Sequence, residues 1–317
     1  MSVTATRAGG SHHHDGGAFR HEALFYADAG QFVEGTGTFV EAGLSAGEPV
    51  MVALLSERAE LLRSRLGTSA SGVTFVDMAA LGRNPARIIP AWRRFVDRHG
   101  AAAGLRGIGE PIWAERSADE LVECQHHETL LNVAFDGGRP WRLLCPYDSA
   151  ALGPSVLEEA RRSHRYLAAK GGSSRSGSYD GSRSPFDGEL PEPPPDAYWA
   201  RFDAGTLAAL RAGLLQRALC VLSDSRAAEL ALAAHELAAN SVHHGGGGGE
   251  LRFWRDDDAA VVEVRDGGRL EDPLVGRRAP SSEAGSGRGL WLANQLCDLL
   301  QVRSSAQGTV ARIRISC

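Results

Sequence analysis

A stretch rich in glycine, serine and proline, from Lys170 to Pro195, divides the 317-residue chain into two parts. Such a composition buries too little apolar surface to order itself, so we predict a linker at residues 169–197. Each flanking part is long enough to form a core of its own. We therefore predict one domain at residues 21–168 and another at residues 198–317, with a disordered tail at residues 1–20.

In the first part, short apolar runs alternate with helical patterns. This alternation predicts an α/β domain with a mostly parallel sheet that is covered by helices on both faces. Ligands of such sheets bind at the carboxyl ends of the strands. The predicted strands are Ala23–Tyr26, Pro49–Leu55, Val73–Val76, Leu105–Gly109 and Trp141–Cys145.

Several polar and aromatic residues of this part are candidates for one sensory pocket. Each of them is either a pocket residue or an ordinary core residue, because buried aromatic rings and cysteines are also common in protein cores. The candidates are His21, Glu110, Trp113, Glu128, Cys145, Tyr147 and Asp148.

In the second part, an amphipathic helix is predicted from Ser225 to His244, with Asp224 and Ser225 as cap candidates and a glycine run after it. Glu236 and Asn240 are four residues apart and share one face of this helix. A carboxylate and a carboxamide placed together can hold Mg²⁺ over a nucleotide phosphate. The alternative is that both side chains simply face solvent.

Two glycine-containing segments follow that helix. Asp266 ends the apolar run of residues 259–264 and precedes two glycines, so its carboxylate can accept a hydrogen bond from an adenine amino group. Residues 285–289 form a glycine loop that leads into an apolar helix pattern. A loop of this kind binds phosphate through backbone N–H groups and the helix dipole.

Together, these segments resemble the N, G1 and G2 boxes of the GHKL ATPases, and most closely the anti-sigma factor serine kinases. The N box is similar to residues 235–245, the G1 box to 264–268, the G2 box to 287–290 and a distal Gly-Thr element to 308–309. The resemblance implies a two-layer α+β sandwich that binds ATP and Mg²⁺, with a short lid at residues 269–286. It implies Glu236 as general base and Asn240 as Mg²⁺ ligand, and a nucleotide site built from Asn240, His244, Asp266, Gly268, Gly287, Gly289, Leu290 and Thr309. For His244, a solvated position at the helix end is an open alternative.

The first part resembles the MEDS sensory domain, which is related in fold to RecA-like ATPases. The resemblance extends over about residues 21–167 and is carried by residues 21–26, 47–50, 82–85, 109–113, 128–132 and 144–148. A RecA-like ATPase would place its phosphate loop after the strand at residues 49–55. This chain has Ser56-Glu57-Arg58 there, and an acid repels phosphate. The resemblance therefore implies a relic of that fold, which senses an unknown small-molecule signal.

Composition excludes other classes of function. Lys170 is the only lysine, so the chain holds no P-loop motif and no lysine for Schiff-base catalysis. A net charge of −5 with interspersed arginines gives no basic face for nucleic acid. No apolar run approaches the length of a membrane span, and five scattered cysteines fit reduced thiols. We expect a soluble, cytoplasmic protein.

Three hypotheses of function follow. The first is a sensory anti-sigma factor that uses ATP and Mg²⁺ to phosphorylate a serine or threonine of a regulatory partner. That partner would be a sigma factor or an anti-sigma factor antagonist. The alternative is a nucleotide-gated binding protein without turnover, and the third is a histidine-kinase fragment, for which the chain offers no phospho-acceptor histidine. A flexible linker predicts coupling through partner recruitment or a homodimer.

Overall fold

A computed structural model describes residues 19–181, 186–280 and 288–317. The predicted N-terminal tail lies outside these ranges except for Phe19, which is buried in the first core, and Arg20, which begins the first strand. The elements of the N-terminal domain are β1 (Arg20–Tyr26), α1 (Ala29–Ser45), β2 (Val50–Leu54), α2 (Ser56–Leu66), β3 (Val73–Asp77), α3 (Met78–Leu81), α4 (Ile88–Arg98), β4 (Arg106–Gly109), α5 (Ala118–Phe135), β5 (Arg142–Asp148), α6 (Pro154–Ser163), β6 (Tyr166–Ala169) and β7 (Gly172–Arg175).

The seven strands of this domain form one sheet in the order β3-β2-β4-β5-β1-β6-β7. All neighbouring strands are parallel except β6 and β7. One face packs against α4, α5 and α6, and the opposite face packs against α1 and α2. The prediction of a mostly parallel sheet covered on both faces is confirmed.

The stretch predicted as a linker is partly ordered in the structure. Lys170 and Gly171 form the turn of a hairpin, and β7 adds to the sheet beside β6. Gly171 adopts a φ of 92°, which favours glycine at this turn. Composition missed this strand because backbone pairing and the hydrogen bond from Arg20 to Ser173, 2.7 Å, hold it in place rather than apolar burial.

The C-terminal domain contains β8 (Tyr198–Asp203), α7 (Leu207–Ala218), α8 (Asp224–His244), β9 (Gly248–Asp256), β10 (Ala259–Asp266), α9 (Arg288–Leu296), β11 (Leu299–Ser305) and β12 (Gly308–Ser316). Its antiparallel sheet has the order β11-β12-β10-β9-β8. The three helices share an apolar core with one face of this sheet. The predicted two-layer α+β sandwich is confirmed. Among the described helices, none is both long and apolar enough to cross a membrane.

The two domains are in direct contact through the C-terminal end of α9. The guanidinium of Arg87 donates to the carbonyl oxygens of Asn294 at 2.9 Å, Gln295 at 2.8 Å and Cys297 at 2.8 Å. Asn84, which is buried beside it, donates to the carbonyl of Asn294 at 3.2 Å. An arginine of one domain thus satisfies carbonyls that a helix end leaves without intrahelical partners.

A second contact joins α5 to the C-terminal domain. The buried carboxylate of Glu123 lies 2.9 Å from the guanidinium of Arg303 and 3.8 Å from that of Arg277. Burial alone would raise the pKa of Glu123, but the His126 ring, followed by Arg303 and Arg277, holds this pKa below its usual value. Leu274 also packs into the core of the N-terminal domain. The domains therefore share a buried interface in addition to the linker.

Replacing Arg87 with alanine should destabilise the protein, because the variant leaves buried carbonyls of α9 without donors. We expect a loss of about 1.5–3 kcal/mol in the free energy of unfolding of the full chain, measured with urea. Arg83→Ala is the control. Arg83 is 60% exposed and 3.6 Å from Asp298, so its loss should cost less than about 1 kcal/mol. Equal losses for both variants would contradict the proposed cap.

Candidate functional site

Helix α8 presents the first site residues. It begins after Ser223, whose backbone is extended, and ends at Gly245, whose N–H donates to the carbonyl of Ser241. Its alanine- and leucine-rich face is buried against the sheet. Glu236 and Asn240 are half-buried on an adjacent face and His244 is exposed, each four residues from the next.

Asp266 ends β10 opposite the last turns of α8. One carboxylate oxygen accepts a hydrogen bond of 2.6 Å from the Ser241 hydroxyl, and the other accepts one of 2.7 Å from the N–H of Gly268. Gly245 lets the helix end approach this carboxylate, since a Cβ at that position would lie 2.5 Å from the Asp266 carboxyl carbon. Asp266 is thus held in one orientation, as a residue must be if it is to accept a hydrogen bond from one particular donor of a ligand.

The distal Gly308-Thr309 element lies beside Asp266. Thr309 is paired with Asp266 in the sheet, and its hydroxyl donates to the carbonyl oxygen of Gly268 at 2.9 Å. Gly308 adopts a φ of 125°, and a Cβ there would lie 2.1 Å from the carbonyl oxygen of Asp266. Only glycine fits this close approach of two backbones.

The beginning of α9 lies against Glu236 and Asn240. A Cβ added to Gly289 would be 3.0 Å from the Glu236 carboxylate and 3.0 Å from the Asn240 amide nitrogen. Leu290, the next residue, is buried in the core. Gly287 and the residues before it, back to position 281, lie outside the described residues. The first turn of α9 therefore lies against the acid and the amide of α8.

A cavity of about 540 Å³ connects these elements. This volume is within the usual range for small-molecule sites. The lining combines apolar side chains with polar ones, which suits a ligand with a flat apolar ring and a charged tail. It includes Leu237, Asn240, Ser241, His244, Gly245, Val264, Asp266, Gly268, Leu270, Leu290, Val302 and Thr309.

The sequence singled out most of this constellation but not its supports. Ser241 and Gly245, which fix Asp266, follow Asn240 closely in the chain, and the spacing of α8 places Ser241 on its buried side. No local spacing marks Ser241 as the partner of Asp266, because 25 residues separate the two in the chain. The contact of Gly289 with Glu236 could not be read from spacing, because 53 residues separate them.

The candidate residues of the sensory pocket lie on two faces of the N-terminal sheet. Side chains alternate between faces along a strand. Cys145 and Tyr147 of β5 therefore point toward α5 and α6, and Asp148 points to the opposite side. Trp113 packs at the first of these faces, under the guanidinium of Arg116 at 3.7 Å. The structure does not bring all seven candidates together.

Glu110 and Asp148 belong to a network on the α1–α2 side. The Tyr26 hydroxyl donates to Glu110 at 3.0 Å, and Arg58 donates to Asp148 at 2.8 Å while covering the Tyr26 ring. Burial raises the pKa of Glu110 to about 7. Arg58 lies in the first turn of α2, at the place where a RecA-like protein would have its phosphate loop. That position is filled by this network.

His21, Glu128 and Cys145 form a second cluster on the α5–α6 side, together with His164, which sequence reasoning missed. Each is at most 1% exposed. Nε2 of His21 lies 2.9 Å from the Glu128 carboxylate and 3.4 Å from the Cys145 sulfur, and Nε2 of His164 lies 3.3 Å from the same carboxylate. His164 follows α6 as a lone histidine, so no local spacing marks it.

The electrostatics of this cluster are unusual. Burial, and then the nearby His164, lower the pKa of His21 to about 4. Burial would raise the pKa of Glu128, but its contacts with His164 and His21 outweigh this and hold the pKa well below the usual value. Burial raises the pKa of the Cys145 thiol. A buried anionic carboxylate therefore lies beside the His21 ring and the Cys145 thiol, which are both neutral at pH 7.

Comparisons with known protein families agree with this architecture. Residues 20–165 match the model of the MEDS family, described as the methanogen/methylotroph, DcmR sensory domain. Residues 201–315 match the model of the histidine kinase-like ATPase domain. The chain thus joins a MEDS sensory domain to a histidine kinase-like ATPase domain, which confirms the MEDS resemblance and the ATPase fold expected for the second domain.

Two solved structures are similar to parts of the chain. One contains the RsbU and RsbW domains of a protein from Mycobacterium tuberculosis, with 20% identity, a TM-score of 0.30 and coverage of 39% of this chain and 32% of that chain. The other is the Acinetobacter baumannii histidine kinase AdeS, with 13% identity, a TM-score of 0.23 and coverage of 38% of this chain and 67% of that chain. Comparison with curated proteins gives no match.

Replacing Asp266 with asparagine should weaken nucleotide binding. The amide can present a donor where the adenine amino group needs an acceptor, and losing a hydrogen bond with a charged partner costs about 1.5–3 kcal/mol, or roughly 10- to 150-fold in Kd. Titration calorimetry with ATP measures this. Asp256→Asn, at the exposed end of β9, is the control and should leave Kd unchanged. An unaltered Kd for the Asp266 variant would remove this residue from the site.

Glu110 should make stability depend on pH. Its folded-state pKa of about 7 lies above the ordinary value of 4.5, so its contribution is fully present below pH 4.5 and is lost as the pH rises through 7. The difference is on the order of 3 kcal/mol. In urea unfolding at pH 5 and pH 8, wild type should lose that much more stability than Glu110→Gln. An equal pH dependence in both proteins would refute this assignment.

Proposed function

We propose that the protein is a sensory regulator whose C-terminal domain binds ATP with Mg²⁺ and phosphorylates a serine or threonine of a partner protein. The observation that carries this proposal is that Asn240 and Asp266 line one cavity of about 540 Å³, with Glu236 and Gly289 next to Asn240. The four residues come from three elements, so their convergence is a property of the fold. A nucleotide needs an adenine reader, a phosphate site and a metal ligand, and this arrangement offers each.

Each residue has a distinct role in the proposal. Asp266, fixed by Ser241 and Gly268, accepts a hydrogen bond from the adenine amino group. The first N–H groups and the positive end of α9 bind the phosphates. Asn240 holds Mg²⁺, which when bound neutralises charge on the transferred phosphoryl group. Glu236, beside Gly289, takes the proton from the hydroxyl that attacks.

The domain interface supports a regulatory role for the sensory domain. Helix α9 contacts Glu236 and Asn240 at its beginning and Arg87 at its end. A shift of the sensory domain would therefore alter the position of the phosphate-binding end through a rigid element of nine residues. In this proposal, a small-molecule signal acts through α9 rather than through the linker.

The resemblance to anti-sigma factor kinases suggests the partner. We infer a sigma factor that is held in one state of the regulator, and an anti-sigma factor antagonist as phosphoryl acceptor. The acceptor protein supplies the attacking hydroxyl, and this chain positions the nucleotide and supplies Glu236 as the base.

Glu236→Gln should separate catalysis from binding. The amide keeps the size of the side chain but cannot take a proton, so we expect phosphoryl transfer to fall by about 10²- to 10⁴-fold with little change in the Kd for ATP. Asn240→Ala should impair both, because the metal ligand is lost. Transfer from labelled ATP to a candidate antagonist and calorimetry provide the two measurements.

Glu229→Gln is the matched control for that experiment. Glu229 lies two turns earlier on α8 and pairs with Arg226 at 2.6 Å, away from the cavity. Transfer by this variant should equal that of wild type. If wild type binds ATP and a partner but transfers no phosphate, the protein is a nucleotide-gated binder, and the kinase proposal fails.

A further inference from the structure

We propose that His21, Glu128, Cys145 and His164 form a site for a divalent transition metal ion of the zinc type inside the sensory domain. The four residues come from β1, α5, β5 and the residue after α6. Their ligand atoms all lie within 4.8 Å of one another. Residues far apart in the chain are thus brought to one buried point that the proposed kinase chemistry does not use.

The distances in this cluster fit a tetrahedral ion. Zinc bonds of about 2.0–2.3 Å to nitrogen, oxygen and sulfur place neighbouring ligand atoms roughly 3.3–3.8 Å apart. The observed separations are 2.9 Å from His21 to Glu128, 3.3 Å from His164 to Glu128 and 3.4 Å from His21 to Cys145. Small side-chain shifts are enough to seat the ion among them.

The outer hydrogen bonds of both histidines direct Nε2 toward the centre. Nδ1 of His164 lies 2.8 Å from the carbonyl oxygen of Ala160, an acceptor, so this nitrogen carries the proton. Nδ1 of His21 lies 3.3 Å from Oδ1 of Asn132, whose amide nitrogen donates to the carbonyl of Ser163 at 2.8 Å. A neutral histidine protonated on Nδ1 has a free lone pair on Nε2. This second shell is the one that metal-binding histidines commonly have.

Without a cation, this arrangement is unfavourable. With both rings protonated on Nδ1, the Nε2 lone pairs of His21 and His164 face the Glu128 carboxylate at 2.9 and 3.3 Å, and no hydrogen atom lies between these buried nitrogen and oxygen atoms. Buried polar groups of this kind ordinarily have partners. An ion at the centre would satisfy all three atoms at once.

The ligand types select the metal. Imidazole, thiolate and carboxylate together suit zinc and its neighbours, whereas Mg²⁺ and Ca²⁺ prefer oxygen alone. Cys145 would bind as thiolate and release its proton to solvent when the ion enters. One thiolate and one carboxylate neutralise a divalent ion, so the buried centre would carry no net charge.

The surroundings provide a dry shell and an approach. The ring of Phe19 stacks on that of His21 at 5.8 Å, and the Tyr147 ring meets that of His164 edge-on at 5.5 Å. A small cavity of about 20 Å³ is lined by His21 and Asn132 at one side and by the exposed residues Asp136 and Gly137. This cavity leads from the surface to the outer edge of the His21 ring.

Cobalt substitution of the full chain tests the proposal. The histidines at positions 12–14 can bind metal themselves, so all proteins carry His12→Ala, His13→Ala and His14→Ala. After chelation, Co²⁺ is titrated in, and the thiolate-to-cobalt charge-transfer band and tetrahedral ligand-field bands are recorded. Wild type in this background should bind one Co²⁺ or Zn²⁺ per chain, and Zn²⁺ should compete the bands away.

Matched variants locate the ion. Cys145→Ser should abolish the charge-transfer band, His164→Gln should weaken metal affinity by at least about a hundredfold, and Asn132→Ala should weaken it by about 10- to 100-fold. Cys124→Ser is the control, since this buried thiol contacts only the carbonyl of Pro111 among the hydrogen bonds described for it. ATP binding by the C-terminal domain and circular dichroism verify that each variant is folded.

Three results would overturn the proposal. They are no stoichiometric Co²⁺ or Zn²⁺ binding by the wild-type cluster, a charge-transfer band that survives in Cys145→Ser, and equal loss of the band in Cys124→Ser. In the first case, the four side chains form a hydrogen-bonded part of the core that holds no metal ion. None of these results bears on phosphoryl transfer, so failure here is distinct from failure of the proposed kinase function.

Discussion

The capping of α9 by Arg87 is the interaction on which the arrangement of the two domains depends. A guanidinium from the sensory domain donates to three carbonyls at the end of a helix whose first turn lies against Glu236 and Asn240. Both contacts are thus made by one helix of nine residues. The first turn of α9, where we propose that phosphate binds, is thereby tied to the fold of the sensory domain.

The sensory domain places its polar groups by the alternation of its strands. Glu110, Tyr26 and Asp148 form one network on the α1–α2 face, and the His21–Glu128–Cys145–His164 cluster lies on the α5–α6 face. Helix α5 carries Glu128 into that cluster and, five residues earlier, Glu123 to Arg303 of the ATPase domain. One helix therefore contacts both the buried cluster and the domain interface.

Features that depend on residues close together in the chain could be predicted from the sequence. Helical spacing places Glu236 and Asn240 on one face and strand-end glycines mark Asp266, and the resemblance of these segments to the GHKL boxes implied the ATPase fold. Arg87 and His164 could not be predicted, because their partners are distant in the chain and no periodicity connects them. The strand β7 was missed since its composition favours a linker, while pairing with β6 supplies the order.

Hydrogen exchange of the full-length protein, with and without ATP and Mg²⁺, tests the central claim most directly. The account predicts slower exchange in the second half of α8, around Asp266 to Gly268, and along α9 up to its contact with Arg87. Slowing should extend to the segment around Asn84 and Arg87, because it holds the end of α9. Unchanged exchange in α8 and α9, or slowing confined to the sheet of the sensory domain, would contradict the account.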